Sequence, residues 1–280
     1  MSTKPQPRSD AERSDPGHAA GAAAALLVRK EAGILWLTLN RPEANNSFIV
    51  PMMEGISDAF SQAAKDPEIK VVVLTGTGKA FCAGQDLKEH LSRKPAFIDE
   101  LRDRYNPVML RIRNLPKPVI AAVNGAAAGA GMSLALNCDF RLCTPETKFY
   151  TSFSKIGLVP DSGNLFWLGQ QIGFSRALEL EMTGRPMTAE EAERWGIVNR
   201  IVPMERLLEE AAAFAKQFVD GPSHAYALTK QLFHRSLFAK NLPSLLDEEA
   251  LLQEMAGRTK DHAEGLQAFL EKRAPKFTGK

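Results

Sequence analysis

Two stretches with little side chain, Phe81-Cys82-Ala83-Gly84-Gln85-Asp86-Leu87 and Asn124-Gly125-Ala126-Ala127-Ala128-Gly129-Ala130-Gly131-Met132, each stand where an apolar strand should hand over to a helix. Glycine and alanine let another molecule approach the backbone closely, and a helix N-terminus presents N–H groups with no internal partner and a partial positive charge. Two such amides converging on one oxygen make an oxyanion hole, which polarises a carbonyl, acidifies the neighbouring C–H and stabilises the enolate that forms. Either stretch alone reads equally well as a tight turn. A single carboxylate follows in Gly157-Leu158-Val159-Pro160-Asp161-Ser162-Gly163, after a proline and before residues suited to start a helix. From position alone, Asp161 is either a helix N-cap or an acid–base group. Aspartate, with an ordinary pKa of about 3.9, is a poor base at neutrality, so the catalytic reading needs apolar surroundings that disfavour the charge. Phe153, Ile156, Leu158, Val159, Leu165, Phe166 and Trp167 are near enough in sequence to supply them, and also suit ordinary core packing.

The elements that must position these groups alternate from Ala25 onward. Leu26 to Lys30 and Ile34 to Leu39 flank Glu31-Ala32-Gly33 and predict a hairpin, and Val50 to Ala64 predicts an amphipathic helix. Val71 to Thr75 and Val119 to Val123 are buried strands feeding the two loops, with a helix from Ala130 to Asn137 after the second. A long helix kinked at Pro107 is expected over Ala96 to Asn114. Strands at Asp139 to Cys143 and Lys148 to Thr151, helices at Ser162 to Gln171 and Thr188 to Trp195, and a strand at Ile197 to Val202 follow. Repeated strand-then-helix units predict stacked sheets wound in a spiral. After Pro203 the strands stop, and Met204 to Val219, Ser223 to Ala239, Leu242 to Met255 and Asp261 to Arg273 read as four helices without a large core of their own. The organisation expected is a disordered tail over 1–24, a spiral core over 25–203 and a helical region over 204–280.

With 280 residues, 44% of them hydrophobic, the chain can bury a substantial core, and a formal charge of +2 favours neither an acidic nor a basic partner. Cys82, Cys138 and Cys143 have no C-x-x-C spacing and read as reduced thiols in a cytoplasmic protein. No metal site is expected, because His18, His90, His224, His234 and His262 are scattered and read as surface or packing residues. The tail carries Asp10, Glu12 and Asp15 where a mitochondrial transit peptide avoids acids, and no segment is long and apolar enough to cross a membrane. Neither a P-loop nor a G-x-G-x-x-G fingerprint is present, so nicotinamide, flavin and ATP are not implied. Arg93, Lys94, Arg102, Arg104, Arg111 and Arg113 are mixed with Asp99, Glu100 and Asp103, which suits a solvated helix better than an RNA surface.

The ordered pair of loops resembles the crotonase superfamily (the enoyl-CoA hydratase/isomerase family), which carries F-x-A-G-x-D-[LI] and then A-A-[VI]-N-G-x-[AC]-x-G-[GA]-G. The closing run from Glu264 to Phe277 resembles the family's E-G-x-x-A-F-x-E-K-R-x-P-x-F ending, so the likeness spans Leu26 to Phe277. The resemblance implies an α/β fold, a crotonase-like ββα spiral core with a C-terminal helical trimerisation region, assembled as a homotrimer or a dimer of trimers. It implies an acyl-CoA thioester substrate, with coenzyme A as part of the substrate and no separate cofactor, in fatty acid or aromatic acid metabolism. Carried over residue by residue, the oxyanion donors are the backbone N–H groups of Gln85 and Ala130, and Asp161 is the catalytic carboxylate. Coenzyme A is expected along the backbone of Ala83, Gly84, Gln85, Asp86 and Leu87 and the turn at Ala44, with Lys88 near a phosphate and Phe269 and Lys272 from the closing helix.

One departure from the family's hydratases matters. Their two glutamates match Ser133 and Phe153, neither of which can act as a carboxylate, so activation of water by a glutamate pair is not expected. A lone carboxylate beside a thioester enolate suits proton shuttling, and the wording around Asp161 looks most like the phenylacetate-type ring-epoxide and enoyl-CoA isomerases. The reading is therefore a CoA-thioester isomerase. Its alternatives are a hydratase-type lyase, a dehalogenase-type enzyme with Asp161 as nucleophile, for which no histidine stands at the expected place, and a non-catalytic CoA- or RNA-binding homologue.

Overall fold

A computed structural model describes residues 24–280, so the tail expected over 1–24 lies, apart from Ala24, outside the described residues. Strands β1 (Leu26–Glu31) and β2 (Ile34–Leu39) form the expected hairpin, Leu26 opposite Leu39 and Glu31 opposite Ile34. Its two-residue turn places Ala32 and Gly33 at φ 48° and 79°, the left-handed pair that matches strand twist. Helix α1 (Val50–Lys65) buries Met52, Met53, Ile56, Ala59, Phe60 and Ala63, a helical stripe facing the core.

Three strand pairs then repeat one motif. β3 (Val71–Gly76) passes to β4 (Ala80–Cys82), β5 (Val119–Val123) to β6 (Ala126–Ala128), and β7 (Phe140–Cys143) to β8 (Lys148–Tyr150). The first strand of each pair joins a six-stranded sheet ordered β1-β2-β3-β5-β7-β10, and the second a four-stranded sheet ordered β4-β6-β8-β9. Within each sheet the members of these pairs run parallel to one another, and β9 closes the smaller sheet antiparallel to β8. Helices follow the second strand each time: α2 (Leu87–Arg93), α3 (Phe97–Glu100) and α4 (Asn106–Asn114) after β4, α5 (Ala130–Asn137) after β6, and α6 (Asn164–Ile172) and α7 (Phe174–Thr183) after β8. The layers of a ββα spiral are thus in place. Buried Asn46 and Asn124 pin the β3–β4 corner, their side-chain amides donating to the carbonyls of Thr77, Ala80 and Gly78.

Three expectations are corrected. The long helix over 96–114 is interrupted by a π-helical turn, Leu101–Tyr105, rather than kinked at Pro107 itself. Proline lacks an N–H for the carbonyl four residues back, and the preceding turn widens, the Asn106 amide bonding the Leu101 carbonyl. The helix expected from Ser162 starts at Asn164 behind a left-handed Gly163. Of Ile197 to Val202, only β10 (Arg200–Ile201) pairs. The amides of Ile197 and Val198 instead bond the Ala192 carbonyl, closing the end of α8 (Ala189–Arg194), the helix that follows β9 (Met187–Thr188).

Helices α9 (Leu207–Val219), α10 (Ser223–Ser236), α11 (Leu242–Gly257) and α12 (Lys260–Glu271) complete the chain. The first packs on the core. Leu207, Ala211 and Ala215 of α9 cover the outer face of the larger sheet with Ile34, Trp36, Val71, Val73 and Ile120, while the main core lies on its other face.

Candidate active site

The loops after β4, β6 and β8, consecutive strands of the smaller sheet, bring Gln85, Ala130 and Asp161 around one cavity of about 200 Å³. Ligands in α/β folds collect at such carboxyl ends of parallel strands. Gly84 shows why the first loop needs glycine. Its φ is +87°, and an added Cβ would stand 2.7 Å from the Ala128 carbonyl oxygen and 3.2 Å from the Ala130 nitrogen, so the two loops touch backbone to backbone.

Peptide planarity aims both amides. The Gly84 carbonyl accepts from the Phe48 N–H at 2.7 Å, and in a trans peptide the attached Gln85 N–H must point the opposite way. On the second loop, the Gly129 carbonyl accepts from the Ser133 N–H at 3.0 Å and the Ser133 hydroxyl at 3.2 Å, which likewise turns away the N–H of Ala130, the first residue of α5. Among the described residues neither N–H donates to another group of the chain, and both residues line the cavity.

Asp161 does not cap α6, whose N-cap is Gly163 without a side-chain bond. Its carboxyl lines the cavity, and its Oδ1 is buried with no hydrogen-bond partner. Burial raises its pKa above the ordinary carboxylate value, and the adjoining Ser162 hydroxyl opposes part of that rise. The loop is held by its backbone. The Asp161 carbonyl accepts from the Asn164 N–H at 3.0 Å and the Ser133 hydroxyl at 3.2 Å, and the Ser162 carbonyl accepts from Asn137 Nδ2 at 2.9 Å. Ser133 is fully buried, so the residue standing where hydratases have a glutamate braces both the second loop and the aspartate loop. Phe153 is an apolar wall of the cavity.

The other expected contacts divide. Ala83, Gly84 and Leu87 line the cavity. The Asp86 carboxylate is committed within the chain: it caps α2 through the N–H groups of Lys88 and Glu89 and accepts from Arg41 at 2.9 Å and Ser47 at 3.0 Å. Arg41 immediately precedes the 3-10 turn Pro42–Ala44, so the turn containing Ala44 is tied to the first loop. Lys88 is exposed at the start of α2. Phe269 on α12 and Lys272 just past its end are exposed and do not line the cavity of their own chain.

Phe97, Glu100, Leu101, Tyr105, Ser152 and Lys155 also line the cavity, and sequence reasoning missed them as site residues. Only Ser152 has a distinctive local conformation, φ 64°, and a serine gives no sign of that in advance. His90 is a packing residue: it stacks on Phe97 at 4.6 Å with Nδ1 3.1 Å from Glu100 Oε2. Of the basic residues weighed for RNA, Arg93 and Arg104 bond Glu100, Arg111 bonds Ser57, and Arg113 lies 3.7 Å over the Trp167 ring. Among the described residues no cluster of His, Cys, Asp or Glu is placed to hold a metal ion, and no helix is long and apolar enough to cross a membrane.

Comparison with known proteins agrees with this architecture. The enoyl-CoA hydratase/isomerase family pattern matches residues 29–280, and the chain belongs to that family. It is 40% identical over 259 residues to 1,2-epoxyphenylacetyl-CoA isomerase of Escherichia coli (strain K12), covering 91% of this chain and 98% of the relative. It is 41% identical over 248 residues to a Rhodobacter capsulatus protein named probable enoyl-CoA hydratase, covering 89% and 95%. The crystal structure of enoyl-CoA hydratase from Bacillus anthracis superposes with a TM-score of 0.85 at 34% identity, covering 91% of this chain and all of that one.

Proposed function

We propose that the chain is a CoA-thioester isomerase, within a family that includes both isomerases and hydratases. The observation that carries this reading is the placement of one half-buried carboxyl, Asp161, on the same cavity as the two inward-facing amides of Gln85 and Ala130. The amides take the thioester oxygen and stabilise its enolate, and Asp161 removes a proton from one carbon and returns it to another. A carboxyl raised by burial is a better base than a solvated one. Glu100, the other carboxylate at the cavity, has both oxygens engaged, Oε1 by Arg93 and Arg104 and Oε2 by the Gln85 amide. With serine and phenylalanine in place of the hydratase glutamates, the activation of water has no second carboxylate to serve it.

An apolar cavity of about 150 Å³ accepts benzene, so the space walled by Phe97, Leu101, Tyr105, Phe153 and Leu158 suits a short or ring-bearing acyl group. Coenzyme A runs out along Ala83 to Leu87 toward Ala44 and Lys88. Phe269 and Lys272 serve it only through assembly, in the trimer or dimer of trimers, bringing α12 of one copy to the cavity mouth of another.

The test compares two reactions of the purified protein. Incubated with a panel of acyl-CoA thioesters in heavy water, it should exchange protons next to the thioester and move a double bond. Hydration of crotonyl-CoA should be slower by at least about 100-fold, the scale of a positioned general acid or base. Hydration as fast as exchange would contradict the isomerase reading.

A further inference from the structure

The Glu100 carboxylate gathers more partners than its place on a short surface helix requires. It is 4% exposed, and four stretches of chain meet on it. Oε2 accepts from the side-chain amide of Gln85 at 2.8 Å and stands 3.1 Å from His90 Nδ1. Oε1 accepts from Arg93 at 3.0 Å and Arg104 at 2.8 Å. The same His90 Nδ1 stands 3.2 Å from the Gln85 side-chain nitrogen, so Gln85, His90 and Glu100 form one polar cluster. The first loop, α2, the end of α3 and the π turn are thus joined at one buried group.

This tether adds a side-chain link to the backbone bonds that already hold Gln85. On its N-terminal side stands Gly84 in the left-handed region, its carbonyl held by the Phe48 N–H at 2.7 Å. On its C-terminal side Asp86 is already fixed by Arg41, Ser47 and the start of α2. Beyond the Phe48 N–H that holds the Gly84 carbonyl, the side chain of Gln85 is a further handle on the peptide whose N–H enters the cavity, and its amide is bound to the residue between Phe97 and Leu101, which form the cavity wall. We propose that Glu100 is a positioning residue: it ties the Gln85 side chain to the wall that contacts the acyl group, and so fixes the amide that polarises the thioester carbonyl. The inference rests on the reading of Gln85 and Ala130 as carbonyl donors. It adds that the amide polarising the carbonyl and the wall of the acyl pocket are linked through one buried group.

The test uses phenylacetyl-CoA labelled with carbon-13 at the thioester carbonyl, bound to the full-length protein and followed by infrared difference spectroscopy. The wild-type band should lie below its frequency in water. In Glu100→Ala it should move back toward the water value, and kcat should fall at least about tenfold, since a misplaced donor costs less than a deleted one, worth about 100-fold to 1000-fold. The Kd for the labelled thioester should change by less than about threefold, because this loss falls on the transition state. Glu100→Gln keeps an oxygen for the Gln85 amide and should recover part of both effects. Gln85→Ala keeps the backbone donor but not the tether, and should copy Glu100→Ala without adding to it in the double variant, as expected for two ends of one link. An unshifted wild-type band would overturn the carbonyl-donor reading itself. A wild-type shift that persists in folded Glu100→Gln and Gln85→Ala, with kcat unchanged, would leave that reading standing and overturn the role given to Glu100.

Discussion

Removing a carboxyl from water pushes it toward its protonated form, and two groups raised in this way stand near each other here, half-buried Asp161 and buried Glu181. Both Glu181 oxygens are unpartnered. Burial raises its pKa to about 7, the Thr151 hydroxyl draws it down, and the charge of Asp161 adds to the rise. Because the folded state holds this proton more tightly than the unfolded chain does, the stability it contributes is fully present below about pH 4.5 and is lost as pH rises through about 7. Replacing it by glutamine should therefore stabilise the protein more at pH 8 than at pH 5, by up to about 3 kcal/mol. Urea unfolding at the two pH values reads this directly, and equal effects at both would contradict it. Ser133 gives a second expectation at this scale. Its hydroxyl is shared between the carbonyls of Gly129 and Asp161, and Ser133→Ala should cost about 1 kcal/mol of stability. If the brace holds the donor and the base together, kcat should fall with KM nearly unchanged. An unaltered kcat would make Ser133 a packing residue only.

Among the elements, the fit of α5 against β4 decides the site. A Cβ on Gly131 would lie 2.3 Å from the Cys82 carbonyl oxygen, backbone that cannot swing aside. Gly131→Ala should therefore shift α5 and cost at least about 1 to 3 kcal/mol, as overpacking does. Activity should fall more steeply than stability, because the displaced helix carries the Ala130 amide. Thermal unfolding and turnover measured together check this, and a variant normal in both would show the contact to be compliant. The same pair of loops is legible in the sequence, because close backbone approach requires glycine and leaves a written trace. Asp161 is legible there as a lone carboxylate after a proline, and only the placement of the N-cap at Gly163 separates it from a capping role. Glu100 leaves no such trace. Its partners at positions 85, 90, 93 and 104 converge through the turn of α2 and the π segment, and the sequence there reads as a mixed-charge solvated helix. The strand expected from Ile197 fails for a related reason, since the carbonyl end of α8 captures the amides that would have paired.

For the whole molecule, the C-terminal helices leave apolar side chains in water. Leu242, Leu246, Leu251 and Met255 of α11 and Leu266, Phe269 and Leu270 of α12 are exposed, Phe269 to 81%, more than a monomer ordinarily leaves in one region. Association through this region is the expected outcome, in line with the proposed trimer or hexamer. Sedimentation of the wild type should show that assembly, and Phe269→Asp with Leu270→Asp should shift it toward smaller species. A wild type that sediments as a monomer at micromolar concentration would contradict it.

The central claim is that Asp161 carries the proton between two carbons of a thioester enolate held by the amides of Gln85 and Ala130. Its most direct measurement is solvent deuterium exchange into a bound acyl-CoA by wild type and Asp161→Asn, with thioester affinity determined alongside. Asparagine keeps the size of the side chain and leaves the two amide donors in place, so affinity should be nearly intact while exchange and isomerisation both fall at least about 100-fold. Near-wild-type exchange in Asp161→Asn would contradict the account.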